Sequence, residues 1–364
     1  MHDKIKVLIV DDSPYSRQTI KEMIETDAGI EVLGVASNGV EAMAKTVKLR
    51  PDVITLDFEM PEMDGFSFLR WIMKDRPMPV IMVTSFSDST TVFKALEFGA
   101  VDFVAKPSKR ASMELHNIQD DLIQKIKSTR LLKMDRVGIS SELIEQAPED
   151  DERAAYVFDQ DGPPQDIRVV TIGASTGGPT ALQVVLTRLP AKFPAAILIS
   201  QHMPRGFTRP FTDRLAKLSR IGIKEAADGD LVEPGNALVC PGGYHMALKS
   251  KNGVVRVALK EPAQKDRYIP SVDLMMSHAA EQFGPSTMGV VLTGMGNDGK
   301  HGIVEIKRKG GYTIAEAEST AVIFGMPNEA IKTGSVDRVL PLYKIAGEIT
   351  MTLMGKRDKK WKKN

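Results

Sequence analysis

Two groups of residues have the types and spacing to do chemistry. In the first, Asp11-Asp12, Asp57, Thr84 and Lys106 each stand just after a short β-branched run. Neighbouring strands of a parallel sheet end side by side, so these carboxylates, hydroxyl and ammonium would meet at one place. Like charges that close raise one another's pKa unless a cation neutralises them, and the all-oxygen set Asp11, Asp12 and Asp57 suits Mg²⁺. A lysine at the same place adds a point charge for a phosphate oxygen, which completes the parts of a phosphoryl-transfer site. The plain structural alternative makes Asp12 or Ser13 the cap of a helix opened by Pro14 and leaves Asp57 a lone surface acid. Matching residues at successive strand ends argue against it as a full account.

The second group lies in the C-terminal half. Gly173-Ala174-Ser175-Thr176-Gly177-Gly178 follows an apolar strand and precedes a helix opened by Pro179, the pattern of a turn that exposes a serine nucleophile. A serine needs a base, and the chain has 6 histidines. His2 is terminal, His116 belongs to a helix of the N-terminal half, and His245 and His278 sit within apparent core elements. His202, in Gln201-His202-Met203-Pro204, directly follows a buried-type strand, where a base would have to be. His301 is the alternative. Asp298, in Leu292-Thr293-Gly294-Met295-Gly296-Asn297-Asp298-Gly299, is the candidate orienting acid, in a turn whose amides could also serve an oxyanion.

These residues are positioned by two stretches of alternating strands and helices. Strands at 4–10, 31–36, 53–56, 80–84 and 102–104 alternate with helices at 16–25, 39–48, 67–73, 90–97 and 113–132, a βαβ rhythm that predicts a parallel, doubly wound α/β sheet. The rhythm lapses over 135–166, which gathers Glu149-Asp150-Asp151-Glu152 and ends in Gly162-Pro163-Pro164, and resumes with strands at 168–172, 196–200, 237–239 and 288–292. The expected organisation is a domain over 1–127, a linker over 128–166, a second domain over 167–352 and a tail over 353–364. Lys/Arg and Asp/Glu number 16 and 20 in residues 1–127, 4 and 10 in 128–166, and 28 and 17 in 167–364. The near-neutral total therefore hides a basic C-terminal half suited to an acidic partner.

With 42% hydrophobic and 26% charged residues, the composition excludes fibrous and wholly disordered classes. The apolar runs fall short of the roughly 18–20 residues a membrane span needs. The N-terminal apolar run stops at Asp11-Asp12 rather than continuing as a signal peptide, and the single Cys240 fits a reducing compartment. A cytoplasmic protein with no membrane insertion is expected. Cys240 reads as a small buried hydrophobe.

Residues 4–127 resemble a response-regulator receiver domain through Asp11-Asp12, Asp57-Phe58-Glu59-Met60-Pro61-Glu62-Met63-Asp64-Gly65, Thr84-Ser85 and Lys106-Pro107. The resemblance implies a flavodoxin-like five-stranded parallel sheet, Asp57 as phosphoacceptor, Mg²⁺ held by Asp12, Asp57 and the carbonyl of Glu59, a switch formed by Thr84, Phe103 and Lys106, and a histidine kinase as phosphodonor. Residues 167–345 are similar to the catalytic domain of the chemotaxis protein-glutamate methylesterases, the CheB family. This similarity rests on Gly173-Ala174-Ser175-Thr176-Gly177-Gly178, Gln201-His202-Met203-Pro204, Gly206-Phe207-Thr208-Arg209, Pro270-Ser271-Val272-Asp273, the turn 292–299 and Phe324-Gly325-Met326-Pro327. It implies a Ser175–His202–Asp298 triad, a histidine brace at Thr176, an oxyanion amide at Met295, no cofactor for the esterase, and methylated chemoreceptors as substrate, with glutamine deamidation a neighbouring activity. Two other outputs fit the sequence less well. A dinucleotide-binding domain would need a glycine where Ser175 stands, and DNA-binding companions of receivers are usually short helical modules, so no nucleic-acid partner is expected.

Overall fold

The computed structural model describes residues 3–84, 89–106, 112–137 and 167–354. Ser85, Pro107, the linker from 138 on and the tail from 355 on lie outside the described residues. The chain divides between Ser141 and Glu142 into two compact units.

In the first unit the strands are short apolar runs with little alternation, as befits strands covered by helices on both faces. The order is β1 (Ile5–Val10), α1 (Pro14–Ile24), β2 (Ile30–Ala36), α2 (Gly39–Leu49), β3 (Val53–Leu56), α3 (Gly65–Asp75), β4 (Val80–Thr84), α4 (Ser89–Glu97), β5 (Asp102–Ala105) and α5 (Ser112–Ser128). All five strands are parallel, in the order β2-β1-β3-β4-β5. Ser13, Asn38 and Asp64 cap α1, α2 and α3 with their side chains. Ser13, rather than Asp12, therefore takes the capping role and leaves the aspartate pair for the sheet edge.

Regular structure continues past the expected boundary at 127. A 3₁₀ turn at Thr129–Leu131 and a helical turn at 134–137 follow α5. Arg136 and Val137 are each 7% exposed, and Thr129 Oγ1 donates to the Ile126 carbonyl at 2.7 Å. Residues 128–137, assigned to the linker from their sequence, are thus structured and partly buried.

The second unit holds β6 (Val169–Ala174), α6 (Gly178–Leu186), β7 (Ala196–Gln201), α7 (Thr208–Leu218), β8 (Gly222–Glu225), β9 (Asn236–Val239), β10 (His245–Lys251), β11 (Val254–Lys260), α8 (Val272–Phe283), β12 (Thr287–Val291), α9 (Lys300–Arg308), β13 (Tyr312–Glu316), α10 (Met326–Ile331), β14 (Arg338–Leu340) and α11 (Leu342–Met354). Seven strands form a parallel sheet in the order β14-β13-β12-β6-β7-β9-β8, and β10 and β11 form a separate antiparallel hairpin. The sequence pattern identified β6, β7, β9 and β12. It missed β8 and β14 because these edge strands are short and largely exposed, β13 because its apolar stretch is brief, and the hairpin because its sides are partly solvated. Every residue of α6 is buried, so this helix is interior. Met275, Met276 and Ala279 of α8 join Val169, Leu248, Val257 and Ile303 in one core cluster. Among the described residues no helix is long and apolar enough to cross a membrane.

Candidate active site and phosphoacceptor site

In the first unit β1 lies between β2 and β3, and its register pairs Val10 with Leu56. The next residue of each strand, Asp11 and Asp57, therefore emerges at the same sheet edge. Asp11, Asp12 and Asp57 each offer a carboxylate oxygen within 4.8 Å of the others. Lys106 Nζ lies 2.5 Å from Asp57 Oδ2 and 3.2 Å from Asp11 Oδ2. Burial pushes the Asp57 carboxyl up to about 6, against the hydrogen bond from Lys106. Burial likewise raises Asp11, with the Lys106 charge opposing. Burial alone would lower the lysine, but the two carboxylates outweigh it and hold it above its ordinary value. Thr84, at the end of β4, is fully buried, Phe103 in β5 is 2% exposed, and Glu59 is exposed on the loop after Asp57. Lys125 lies 5.4 Å from the centre of the Phe103 ring.

In the second unit the β6–β7 register pairs Ala174 with Gln201, so Ser175 and His202 are the first residues beyond two adjacent strands. The His202 amide donates to the Ala174 carbonyl at 3.0 Å. Gly177 turns the chain from strand into helix at φ +76°, a left-handed conformation that a β-carbon would strain. His202 Nδ1 is 3.1 Å from Ser175 Oγ, and His202 Nε2 is 2.8 Å from Asp298 Oδ2. The imidazole thus presents Nδ1 to the serine, the reverse of the serine-protease template, where Nε2 faces the nucleophile.

Asp298 reaches the histidine from the turn after β12, on the far side of β6. The start of α8 holds it there, with the Val272 and Asp273 amides donating to its oxygens at 2.7 and 2.9 Å and Ser271 Oγ at 3.3 Å, and the amide of the next residue, Gly299, adds a bond at 3.1 Å. Burial pushes this carboxyl up, but the His202 hydrogen bond and charge and the two helix amides outweigh it and keep it below the usual carboxylate range. Thr293 braces the nucleophile turn. Its carbonyl accepts from the Ser175 amide at 3.0 Å and its hydroxyl donates to the Thr176 carbonyl at 3.0 Å. The buried Glu316 accepts the Thr293 amide at 2.8 Å. Thr176 is 4% exposed, and Met295 sits half-buried in the 292–299 turn.

Of the other histidines, His2 and the side chain of His116 lie outside the described residues, and the rest are placed as follows. His245 is buried, bonded to Asp266 Oδ2 at 3.0 Å and accepting the Ser271 amide at 3.0 Å. His278 lies in α8 with Nε2 3.3 Å from Lys260 Nζ. His301, the alternative base, is exposed on α9. Cys240 is fully buried, and burial raises its thiol, as suits a packing residue. Sequence reasoning missed Ser271, Val272, Asp273, Thr293 and Glu316 as supports. The capping pattern Ser271-x-x-Leu274 marks a helix start, but nothing local shows that its amides face Asp298.

An acidic, lysine-paired rim on one parallel sheet and a serine–histidine–aspartate rim on another define a response-regulator receiver joined to a hydrolase-type output domain. Residues 7–117 match the response regulator receiver domain family, and residues 170–349 match the CheB methylesterase family. Over 358 residues, 95% of this chain and 96% of the relative, the sequence is 47% identical to protein-glutamate methylesterase/protein-glutamine glutaminase 3 of Geobacter sulfurreducens. It is 45% identical to the Pyrococcus horikoshii protein-glutamate methylesterase/protein-glutamine glutaminase over 353 residues, 95% of this chain and 92% of that one. The crystal structure of the Thermotoga maritima CheB methylesterase catalytic domain is 43% identical, covers 50% of this chain and 97% of that one, and has a TM-score of 0.49. The chain belongs to the CheB family of receiver-linked protein-glutamate methylesterases.

Proposed function

We propose that this chain is a phosphorylation-regulated serine hydrolase that releases methanol from glutamate methyl esters on the cytoplasmic helices of chemoreceptors. By the same chemistry it deamidates receptor glutamines, releasing ammonia. The observation that carries this reading is the unbroken hydrogen-bonded path from Ser175 Oγ through His202 to Asp298. Ser175 attacks the ester carbonyl as His202 Nδ1 takes its proton. The Met295 amide, in the turn beside the nucleophile, receives the oxyanion. His202 returns the proton to the departing methoxide, and water repeats the attack on the acyl-enzyme to free the glutamate. Asp298 fixes the tautomer that carries hydrogen on Nε2 and stabilises the imidazolium. Thr176 braces the histidine from the position after the nucleophile.

In the receiver, the three convergent carboxylates are a hard-oxygen donor set that fits Mg²⁺. Asp12, Asp57 and the Glu59 carbonyl would hold it, with Asp11 beside them, and the bound ion supplies positive charge against the carboxylates and the phosphoryl oxygens. Asp57 accepts the phosphoryl group from a histidine kinase, Lys106 pairs with a phosphoryl oxygen, and Thr84 and Phe103 respond to the new charge. The site of action is the cytoplasm, where kinase and receptor helices meet, and the basic catalytic half suits an acidic receptor surface. The reading is tested by methanol release from methylated receptor membranes, with and without acetyl phosphate. Release that requires Ser175 and rises with the phosphodonor supports it, whereas no release from the wild-type protein refutes it.

A further inference from the structure

Tyr268 lies just ahead of α8 and touches two parts of the esterase site at once. Its ring stacks on the His202 imidazole, with centroids 5.2 Å apart and planes 7° apart. Its hydroxyl donates to Asn297 Oδ1 at 3.0 Å and accepts from the Asn297 amide at 3.4 Å. A β-carbon on Gly296, whose φ is +89°, would lie 2.3 Å from that hydroxyl, so the turn meets the phenol at a distance only glycine permits. Asn297 stands between Met295, the proposed oxyanion amide, and Asp298, the orienting acid.

An imidazole held by Ser175 at one nitrogen and Asp298 at the other is fixed in its plane. It remains free to tilt about the line joining those two hydrogen bonds. A flat ring against its face removes that freedom, and an electron-rich face also favours the positive charge the imidazole gains when it takes the serine proton. We propose that Tyr268 is a positioning residue of the esterase: its ring sets the plane of His202, and its hydroxyl holds the Met295–Asp298 turn at a fixed distance from that imidazole. The assignment rests on the triad of the proposed function. Because the charge on the imidazole develops only during reaction, the contribution belongs to kcat rather than to substrate binding.

The full-length protein is compared with Tyr268→Phe, which keeps the flat face and loses the hydroxyl, and Tyr268→Leu, which loses both. The rate of Ser175 labelling by a fluorophosphonate probe reads the base-assisted nucleophile whatever the natural substrate is, and methanol release from methylated receptor membranes supplies kcat and KM. Tyr268→Leu is expected to slow labelling and lower kcat by about 10- to 100-fold, with KM within about twofold. Tyr268→Phe is expected to recover most of the labelling rate. Labelling of the leucine variant at the wild-type rate would overturn the assignment, and so would a defect confined to KM, which would make Tyr268 a substrate contact. Tyr268→Met, which fills the space without a flat face, gives the same comparison should the leucine variant fail to fold. A wild-type protein that does not label at Ser175 would overturn the triad itself, an outcome distinct from normal labelling of both.

Discussion

The carboxylate of Asp298 accepts from three backbone amides and from His202. An asparagine there would turn an NH₂ group toward donors that need an acceptor, and it would no longer enforce the histidine tautomer. Asp298→Asn is therefore expected to lower kcat by about 10⁴-fold, the loss seen for the corresponding change in serine proteases. Ser175→Ala and His202→Ala should be at least as damaging, while the exposed His301→Ala should retain wild-type turnover. Loss of turnover in His301→Ala with retention in His202→Ala would reassign the base. In the receiver, Asp57→Asn should abolish Mg²⁺-dependent labelling by acetyl phosphate and leave basal ester hydrolysis in place. Labelling that persists in this variant, or that ignores chelation, would move the phosphoacceptor elsewhere.

Among the elements, α2 shows how a helix start is secured by local chemistry. Asn38 caps it by accepting the Glu41 amide at 2.8 Å. Glu41 reaches back to the Ser37 amide at 2.7 Å and across one turn to Lys45 at 2.6 Å, so a capping contact and an i,i+4 pair share one carboxylate. The Lys45 hydrogen bond, then the Ser37 amide, pull this carboxyl down to about 2. A folded-state pKa below the unfolded value of about 4.3 means the stabilisation is complete above that value and lost as pH falls toward the folded one. Because the side chain is 38% exposed, solvent screening limits its worth to on the order of 0.5 kcal/mol. Glu41→Gln should lower receiver stability by about that amount at neutral pH, and the difference should disappear near pH 2 in acid-unfolding curves. A deficit that stays constant across that range would show that the carboxylate charge contributes nothing.

At the scale of the whole molecule, a switchable receiver and an esterase share one chain through a segment whose sequence carries 10 acidic residues against 4 basic ones over 128–166. Covalent linkage holds each domain at high effective concentration for the other, so even a weak docking preference of the unphosphorylated receiver can restrain the esterase. Phosphorylation acts on that preference only through the difference in docking free energy between the two receiver states. A fragment beginning near residue 160 is therefore expected to release methanol faster than the unphosphorylated full-length chain and to ignore acetyl phosphate. If the folded fragment is slower, the receiver acts as an activator or as a receptor-docking module.

Both rims were legible in the sequence for one reason. Asp11, Asp57, Thr84, Ser175 and His202 each end or directly follow an apolar strand, and parallel strands carry their C-terminal ends to a common edge. Composition and motif order likewise separated the two domains. The end of the first unit was not legible, because beyond the helix expected to end at 132 the sequence shows no period, yet Arg136 and Val137 are buried through contacts that no local pattern reports. Nor were the supports of Asp298. The turn 292–299 crosses from β12 over β6 toward the histidine, and the amides that receive it belong to a helix beginning at Val272. Likewise the approach of Nδ1 rather than Nε2 to Ser175, and the stack of Tyr268 on that imidazole, depend on the paths of loops from three different parts of the chain. Strand ends and burial periods are written in neighbouring residues, whereas contacts between distant loops exist only once the sheet has set their starting points and the core has fixed their directions.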